Sequence, residues 1–471
     1  MSLDEKIGQF FMVAAYTNKD TSHTSQIEKL ISTYHIGGLI FFQDNPVKQA
    51  YMTNYYQSMS STPLMIGIDG EWGLAMRLKS TFKFPYQVTL GSIQNDSLIY
   101  LMGAQMARQC KRIGIHVNFA PDIDVNNNPD NPIIGFRSFG ENKYKVAKKG
   151  WMYASGMQSE RVLACAKHYP GHGDVATDSH LDMPVVNKTR AEIDSLELYP
   201  FREIIKKGVA AIMVAHISFP QLDGRTNRSS SLSEPIVTGI LKKEMNFNGL
   251  IFTDALNMKG VAKYFSPGNV EVEALLAGND ILVFPENVPL AVEKIKLAIK
   301  EGKITEAQID ERVKKILYWK EWAGLNNYKP VEIANIYTDL NPKASTLLNT
   351  AIAREAICVV KDENNLLPLQ SKEKIACLTI GNQSSYVFNE KLGSFANSAH
   401  YSILKGSDDA KYSQIKAKLK AYQTIVISIH DSKIWNNKTF GFSKQDIDLI
   451  NSLNSTHKVI LVAFCNPYIL K

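Results

Sequence analysis

Fourteen consecutive residues, Lys167-His168-Tyr169-Pro170-Gly171-His172-Gly173-Asp174-Val175-Ala176-Thr177-Asp178-Ser179-His180, carry five His or Asp side chains together with two glycines and a proline. That composition cannot build a packed element, so it forms a loop dense in titratable and hydrogen-bonding groups. Asp178 and His180 stand two apart, which in extended backbone puts both on one face, close enough for the carboxylate to bond the imidazole. Such a carboxylate fixes the ring tautomer and favours the imidazolium, bringing the group toward the pKa a general acid/base needs. Taken alone, an Asp-x-His triplet reads first as a turn cap beside a packing histidine. A rival reading takes His168, His172, Asp174 and His180 as ligands of zinc or manganese. Their spacing matches none of the compact metal signatures of hydrolases, so no metal and no cofactor are expected.

Asp254 is the second candidate. It closes the apolar run Gly249-Leu250-Ile251-Phe252-Thr253 and precedes Ala255-Leu256-Asn257-Met258. Glycosyl transfer needs an anion beneath the anomeric carbon, where oxocarbenium-like charge develops, and retaining enzymes use that carboxylate as a covalent nucleophile. The bland alternative is an N-cap for the following helix, a common use of Asp after a strand.

Both candidates sit at the ends of short apolar runs, and eight such runs recur: Gly8 to Ala14, Ile36 to Phe42, Leu64 to Ile68, Ile113 to Phe119, Val162 to Ala166, Ala210 to Ala215, Gly249 to Thr253 and Asp280 to Phe284. Each has the length of a buried parallel strand. Helix-compatible segments lie between them. Asp194 to Lys206 and Pro289 to Ile299 repeat apolar residues near every 3.6, and Ser233-Glu234-Pro235 offers a helix start with Pro just inside it. Strand then helix, eight times, predicts an α/β fold of the (β/α)8 TIM-barrel type over 1–325, with chemistry at the C-terminal ends of the strands. A doubly wound open sheet would give a similar alternation. Asp69, Lys167-His168, His216 and Asp254 close four of the runs.

A polar stretch with two prolines follows at 326–342 and reads as a linker packed on the barrel. From 343 to 471 a second, smaller parallel α/β domain is expected, with strands at Ala356 to Val360, Ile375 to Ile380, Thr424 to Ile429 and Val459 to Phe464 and helices at Ala344 to Ala353 and Lys444 to Leu453. The chain stops soon after the last strand, so this domain is expected to be small or cut short, with a further C-terminal part missing.

With 45% hydrophobic and 21% charged residues over 471 positions, the composition excludes a disordered or fibrous chain. The formal charge of +7 is spread over helix faces, and without an aromatic-basic stripe it does not point to nucleic acid. The five cysteines are odd in number and lack CxxC spacing, so they read as buried free thiols. No stretch approaches the roughly 20 apolar residues of a membrane span. Met1 to Lys6 run directly into the first apolar segment with no signal-peptide core, so the chain as it stands reads as cytoplasmic. An export signal removed beforehand would leave no trace, and the compartment would then be periplasmic or external.

The loop from Lys167 to His180 matches throughout the K-H-[FY]-P-G-H-G-D-x-x-x-D-S-H pattern of glycoside hydrolase family 3, and specifically resembles its β-N-acetylglucosaminidase branch of bacterial peptidoglycan recycling. Asn118-Phe119-Ala120-Pro121, Asn131 to Gly140 and Ala277-Gly278-Asn279-Asp280 resemble further family segments in the right order, and Asn365 to Leu369 resembles the start of its second domain. The resemblance implies Asp254 as nucleophile, His180 as acid/base with Asp178 as its partner, and Asp69, Arg137, Lys167 and His168 as binders of the terminal sugar's hydroxyls. These side chains offer the donors and acceptors that a polyhydroxylated ring requires. Where the family commonly reads D-Q-E-G-G, this chain has Asp69-Gly70-Glu71-Trp72-Gly73, so Trp72 is expected to reshape the pocket rim.

The reading that follows is a retaining exo-β-N-acetylglucosaminidase acting on oligosaccharide or muropeptide fragments of peptidoglycan or chitin. Alternatives are a phosphorylase, since a neutral imidazole repels phosphate less than a carboxylate does, a β-glucosidase of the same family, substrate-assisted catalysis by the acetamido group, and a non-catalytic carbohydrate-binding module. The segment from Gly171 to His180 is expected to be mobile and to close over substrate, since few of its residues can be buried.

Overall fold

The structure, a computed structural model, describes residues 1–175, 183–362, 365–369, 374–381, 386–430 and 441–470. The chain divides into two compact units, Met1–Ile357 and Cys358–Lys471.

The first unit is an eight-stranded parallel barrel: β1 (Phe11–Tyr16), β2 (Gly38–Phe42), β3 (Met65–Ile68), β4 (Val117–Asn118), β5 (Leu163–Tyr169), β6 (Ala211–Val214), β7 (Leu250–Thr253) and β8 (Leu282–Val283). They run in the order β7-β6-β5-β4-β3-β2-β1-β8. An open sheet would end there. Here Phe252 bridges Ile281, Thr253 N donates to Ile281 O (3.0 Å) and Asp280 N to Ile251 O (2.8 Å), which closes β7 on β8. Each of the eight apolar runs overlaps one strand, and β1 and β5 extend past theirs to Tyr16 and Tyr169. β4 and β8 shrink to two residues, and at β8 the Thr253 hydroxyl accepts from Val283 N (3.0 Å) in place of a ladder bond.

Helices cover the barrel where capping chemistry allows. Asp20, Asn45, Asn142 and Asn287 cap four of them through side-chain oxygens that accept from first-turn N–H groups. Two of these helices also carry proline in the first turn, where its missing N–H costs nothing: Pro46 follows its cap directly, and Pro289 lies one residue further in. The predicted helix over Asp194 to Lys206 is two, Arg190–Ser195 and Leu198–Lys206. Downstream of the barrel, Arg112 binds Asp339 together with the carbonyls of Glu332 and Ala334, and Asn54 bonds both backbone groups of Val331. Helix Lys343–Glu355 also falls in the first unit.

In the second unit β9 (Ile375–Ile380), β10 (Ser398–Ile403), β11 (Thr424–Ile429) and β12 (Lys458–Ala463) form a parallel sheet in the order β10-β9-β11-β12. The central pair is wholly buried and the outer pair alternates, as inner and edge strands should. Ala356 to Val360, expected as a strand, forms none. Ile357, Val359 and Val360 are 78%, 65% and 73% exposed, so the run has no neighbour to pair with. Cys358 is likewise exposed, and Cys465 only partly buried, whereas Cys110, Cys165 and Cys377 are the buried thiols expected. Among the described residues no helix is long and apolar enough to cross a membrane.

At the end of the barrel where the strands begin, Lys320 is 3% exposed and donates to a neutral acceptor, Gln9 Oε1, at 2.6 Å. Burial draws its pKa down to about 7. The unfolded chain, with a lysine near 10.4, therefore binds more protons than the native state between pH 7 and pH 10, and stability must rise with pH across that window. Urea midpoints at pH 6.5 and 9.5 should show wild type gaining on Lys320→Met as pH rises. A constant difference would mean that Lys320 does not titrate there.

Candidate active site

All the carbohydrate-binding candidates the structure describes gather at the C-terminal ends of the barrel strands. Asp69 follows β3, Arg137 ends the short turn Gly135–Arg137 after β4, Lys167 and His168 lie near the end of β5, and Asp254 follows β7. Asp69 Oδ1 accepts from Lys167 Nζ (3.1 Å) and Oδ2 from Arg77 Nη2 (2.7 Å). Burial pushes the Asp69 carboxyl up, but Lys167 and Arg77 outweigh it and hold the group anionic. Arg77 is in turn placed by an aromatic stack: its guanidinium lies 4.9 Å from the centre of the Phe42 ring, which stacks on Tyr16 at 5.4 Å. Tyr16 and Phe42 are register partners at the ends of β1 and β2, so this support comes from the sheet itself.

Beside Asp69 lies a carboxylate that the sequence patterns leave without a role. Glu71, 1% exposed, accepts from Arg137 Nη2 (2.7 Å) and Nε (3.0 Å) and pairs with Lys167 Nζ at 2.9 Å. Arg137 Nη2 also reaches His168 Nε2 at 3.1 Å, and His168 Nδ1 lies 2.7 Å from Asp124 Oδ2. An arginine can only donate, so Nε2 is the acceptor and the ring proton sits on Nδ1, facing Asp124. Asp124 further accepts from the backbone N of His168 (3.2 Å) and of His172 (2.6 Å), and thereby ties the start of the β5 loop to the segment that follows β4. Asp122, 0% exposed, is pushed up by burial and by Asp124 next to it.

Asp254 is partly buried. Its Oδ1 accepts from Ala255 N (2.8 Å), and its own N–H donates to Val214 O on β6 (2.9 Å). Burial raises its pKa, but His216, the hydrogen bond from Ala255 N–H and Lys167 carry it below the ordinary carboxylate range, so the group is anionic. The helix after it, Lys259–Ala262, is capped at Met258. The N-cap alternative for Asp254 therefore falls.

Asp178 and His180 lie outside the described residues. The first half of their loop is not the exposed segment expected. Gly171, His172, Gly173 and Val175 are buried, and Asp174 is held by Asn127 Nδ2 (2.8 Å) and Lys188 Nζ (2.9 Å). A side chain at Gly173 would lie 1.8 Å from the Val125 carbonyl oxygen, so this glycine permits a close backbone approach. Of the metal reading's described members, the His168 and His172 rings stand 5.5 Å apart, while Asp174 is engaged by Lys188 and Asn127. Among the described residues the group that does converge is Asp122, Asp124 and His168. Arg137 Nη2 lies 3.8 Å from its Asp122 Oδ2, which opposes a cation there.

Trp72 packs in a three-ring cluster, 4.9 Å from Tyr86 and 6.0 Å from Phe136. Phe136 adjoins Arg137 in sequence, so this substitution bears on the surroundings of the Glu71–Arg137 pair. Glu71, Asp122 and Asp124 sit inside or beside segments legible as motifs, but no spacing signal distinguishes a carboxylate that holds a cation from one that touches a ligand.

Residues 2–318 match the model of the glycosyl hydrolase family 3 N terminal domain. Beta-hexosaminidase A of Pseudoalteromonas piscicida is 30% identical over 412 residues, covering 80% of this chain and 68% of that protein. The beta-hexosaminidase of Idiomarina loihiensis is 29% identical over 317 residues, which is 66% of this chain and 93% of its own length. Among solved structures, a family 3 beta-N-acetylglucosaminidase from Paenibacillus sp. str. FPU-7 superposes with a TM-score of 0.82 at 27% identity, covering 100% of this chain and 91% of the other.

Proposed function

The chain belongs to glycosyl hydrolase family 3, and from that premise we propose that it is a retaining exo-β-N-acetylglucosaminidase releasing terminal N-acetylglucosamine from peptidoglycan or chitin fragments. One observation carries the reading: an anionic Asp254 stands at the end of β7 in the same barrel mouth as the Asp69, Lys167, Arg137 and His168 cluster. The cluster supplies charged donors and acceptors for sugar hydroxyls, and Asp254 supplies a carboxylate for the anomeric carbon. Hexosaminidase names among relatives covering most of the barrel support the N-acetyl sugar.

The mechanism assigned to these groups has two displacements. Asp254 attacks C1 as the aglycone oxygen departs with a proton from His180, giving a glycosyl ester. Water then attacks C1 with His180 as base, Asp254 leaves as carboxylate, and the sugar is released with its original anomeric configuration. Asp178 fixes and charges the His180 ring in this scheme. Asp69 and Lys167, already paired, exchange part of that pairing for hydroxyl contacts, which keeps the site charge-balanced before and after binding.

The test is a panel of aryl β-glycosides, followed by NMR of the first-formed anomer, with and without inorganic phosphate. The β-N-acetylglucosaminide should be turned over at least about tenfold faster than the β-glucoside, releasing free β-sugar in both buffers. Preference for the glucoside, formation of sugar 1-phosphate, or an α-product would overturn the proposal.

A further inference from the structure

His216 follows β6 and is 1% exposed, a buried imidazole with no part in the scheme above. Its Nε2 lies 3.0 Å from the Ala255 carbonyl oxygen and its Nδ1 2.7 Å from Ser231 Oγ. A carbonyl can only accept, so Nε2 carries a proton. Ser231 is itself completely buried. Its hydroxyl lies 3.0 Å from that of Ser229, and its carbonyl accepts from Asn279 Nδ2 (2.7 Å). The imidazole is therefore backed by a turn that cannot readily shift.

Ala255 is the residue after Asp254. Its carbonyl, which His216 holds, also accepts from Met258 N (3.0 Å), and its N–H is the donor to Asp254 Oδ1. On the other side, Asp254 N is fixed to Val214 O, two residues before His216 on the same strand end. β6 thus grips the chain at residue 254 by its backbone and at residue 255 by an imidazole. His216 is also the neighbour that most strongly favours the ionised form of Asp254 against its burial.

We propose that His216, backed by Ser231, is a positioning residue for the nucleophile: it holds residue 255 by its carbonyl, and so keeps in place the Ala255 N–H that orients the Asp254 carboxylate toward the anomeric carbon. The proposal rests on Asp254 acting as nucleophile. A buried histidine that merely satisfied its own hydrogen bonds would affect stability and little else. A positioning residue affects the rate of attack, because a misplacement of about 1 Å can cost on the order of 10²-fold.

The experiment compares His216→Ala, His216→Gln and Ser231→Ala in the full chain, using an aryl β-N-acetylglucosaminide for kcat and KM and an activated 2-fluoro sugar for the rate of covalent trapping. Glutamine places an N–H donor near the position of the imidazole Nε2. His216→Ala is expected to lower both kcat and the trapping rate by roughly 10²-fold with KM within about threefold. His216→Gln should recover at least about tenfold of that loss, and Ser231→Ala should lose about tenfold at unchanged KM. Unchanged kcat in His216→Ala, or a glutamine variant no better than alanine, would overturn the inference. If His216→Ala does not fold, Ser231→Ala decides alone: a trapping rate equal to wild type overturns it. Asp254→Asn in the same assay separates the premise from the inference. An inert Asp254→Asn beside a normal His216→Ala rejects only the positioning role, whereas an active Asp254→Asn rejects the nucleophile itself.

Discussion

Asp254→Asn is expected to lower turnover of an aryl β-N-acetylglucosaminide by about four orders of magnitude while leaving the unfolding midpoint nearly unchanged. Four orders correspond to about 5.4 kcal/mol of lost transition-state stabilisation. An amide has the shape of the carboxylate and keeps an oxygen for the Ala255 N–H, so the local hydrogen bond at 2.8 Å survives the change. What disappears is the negative charge beneath an oxocarbenium-like centre and the carboxylate nucleophilicity that forms the glycosyl ester. Removing the side chain in Asp254→Gly gives the complementary result. Azide can then enter, attack C1 from the vacated face and leave an α-glycosyl azide as the aglycone departs with its proton. Wild-type turnover in Asp254→Asn, or β-configured azide from Asp254→Gly, would remove this residue from the reaction.

How far this site could be read in advance depends on what kind of signal each residue leaves. Asp69, Lys167, His168 and Asp254 interrupt apolar runs at strand ends, a pattern that a barrel translates directly into position at the mouth. The barrel was legible for a related reason: its strands are buried on both faces and so appear as unbroken apolar segments. β10 left no such mark, because Ser398–Ile403 is an edge strand whose side chains alternate between partial burial and exposure. Ala356 to Val360 gave the opposite error, since apolar β-branched composition alone does not supply a pairing partner. Within the site, Glu71, Asp124 and His216 could not be assigned work from spacing. Their work is to hold Arg137, His168 and Ala255, and those contacts join residues 66, 44 and 39 positions apart.

Glu71→Ala should be the most destabilising of the single changes at the mouth, by about 3 to 5 kcal/mol at pH 7, because it leaves two buried cations without their shared anion. Glu71 is 1% exposed, and it receives Arg137 through two nitrogens and Lys167 at 2.9 Å. Burial alone would raise its pKa, yet Arg137 and Lys167 together drive it far below the ordinary carboxylate range. A carboxyl whose folded pKa is depressed contributes its full stability above the unfolded value of about 4.3 and loses it as pH falls toward the folded one. The stability gap between wild type and Glu71→Ala, read from urea unfolding, should therefore be constant from pH 7 down to about 5 and narrow below about 4. Activity should fall with it, since Arg137 and Lys167 are drawn toward Asp122 and Asp69 once Glu71 is gone. Adding Lys167→Met to Glu71→Ala separates charge from shape: removing the stranded ammonium should restore part of the stability and none of the activity. Additive losses in that double variant would mean that Glu71 fills space in the barrel mouth without neutralising it.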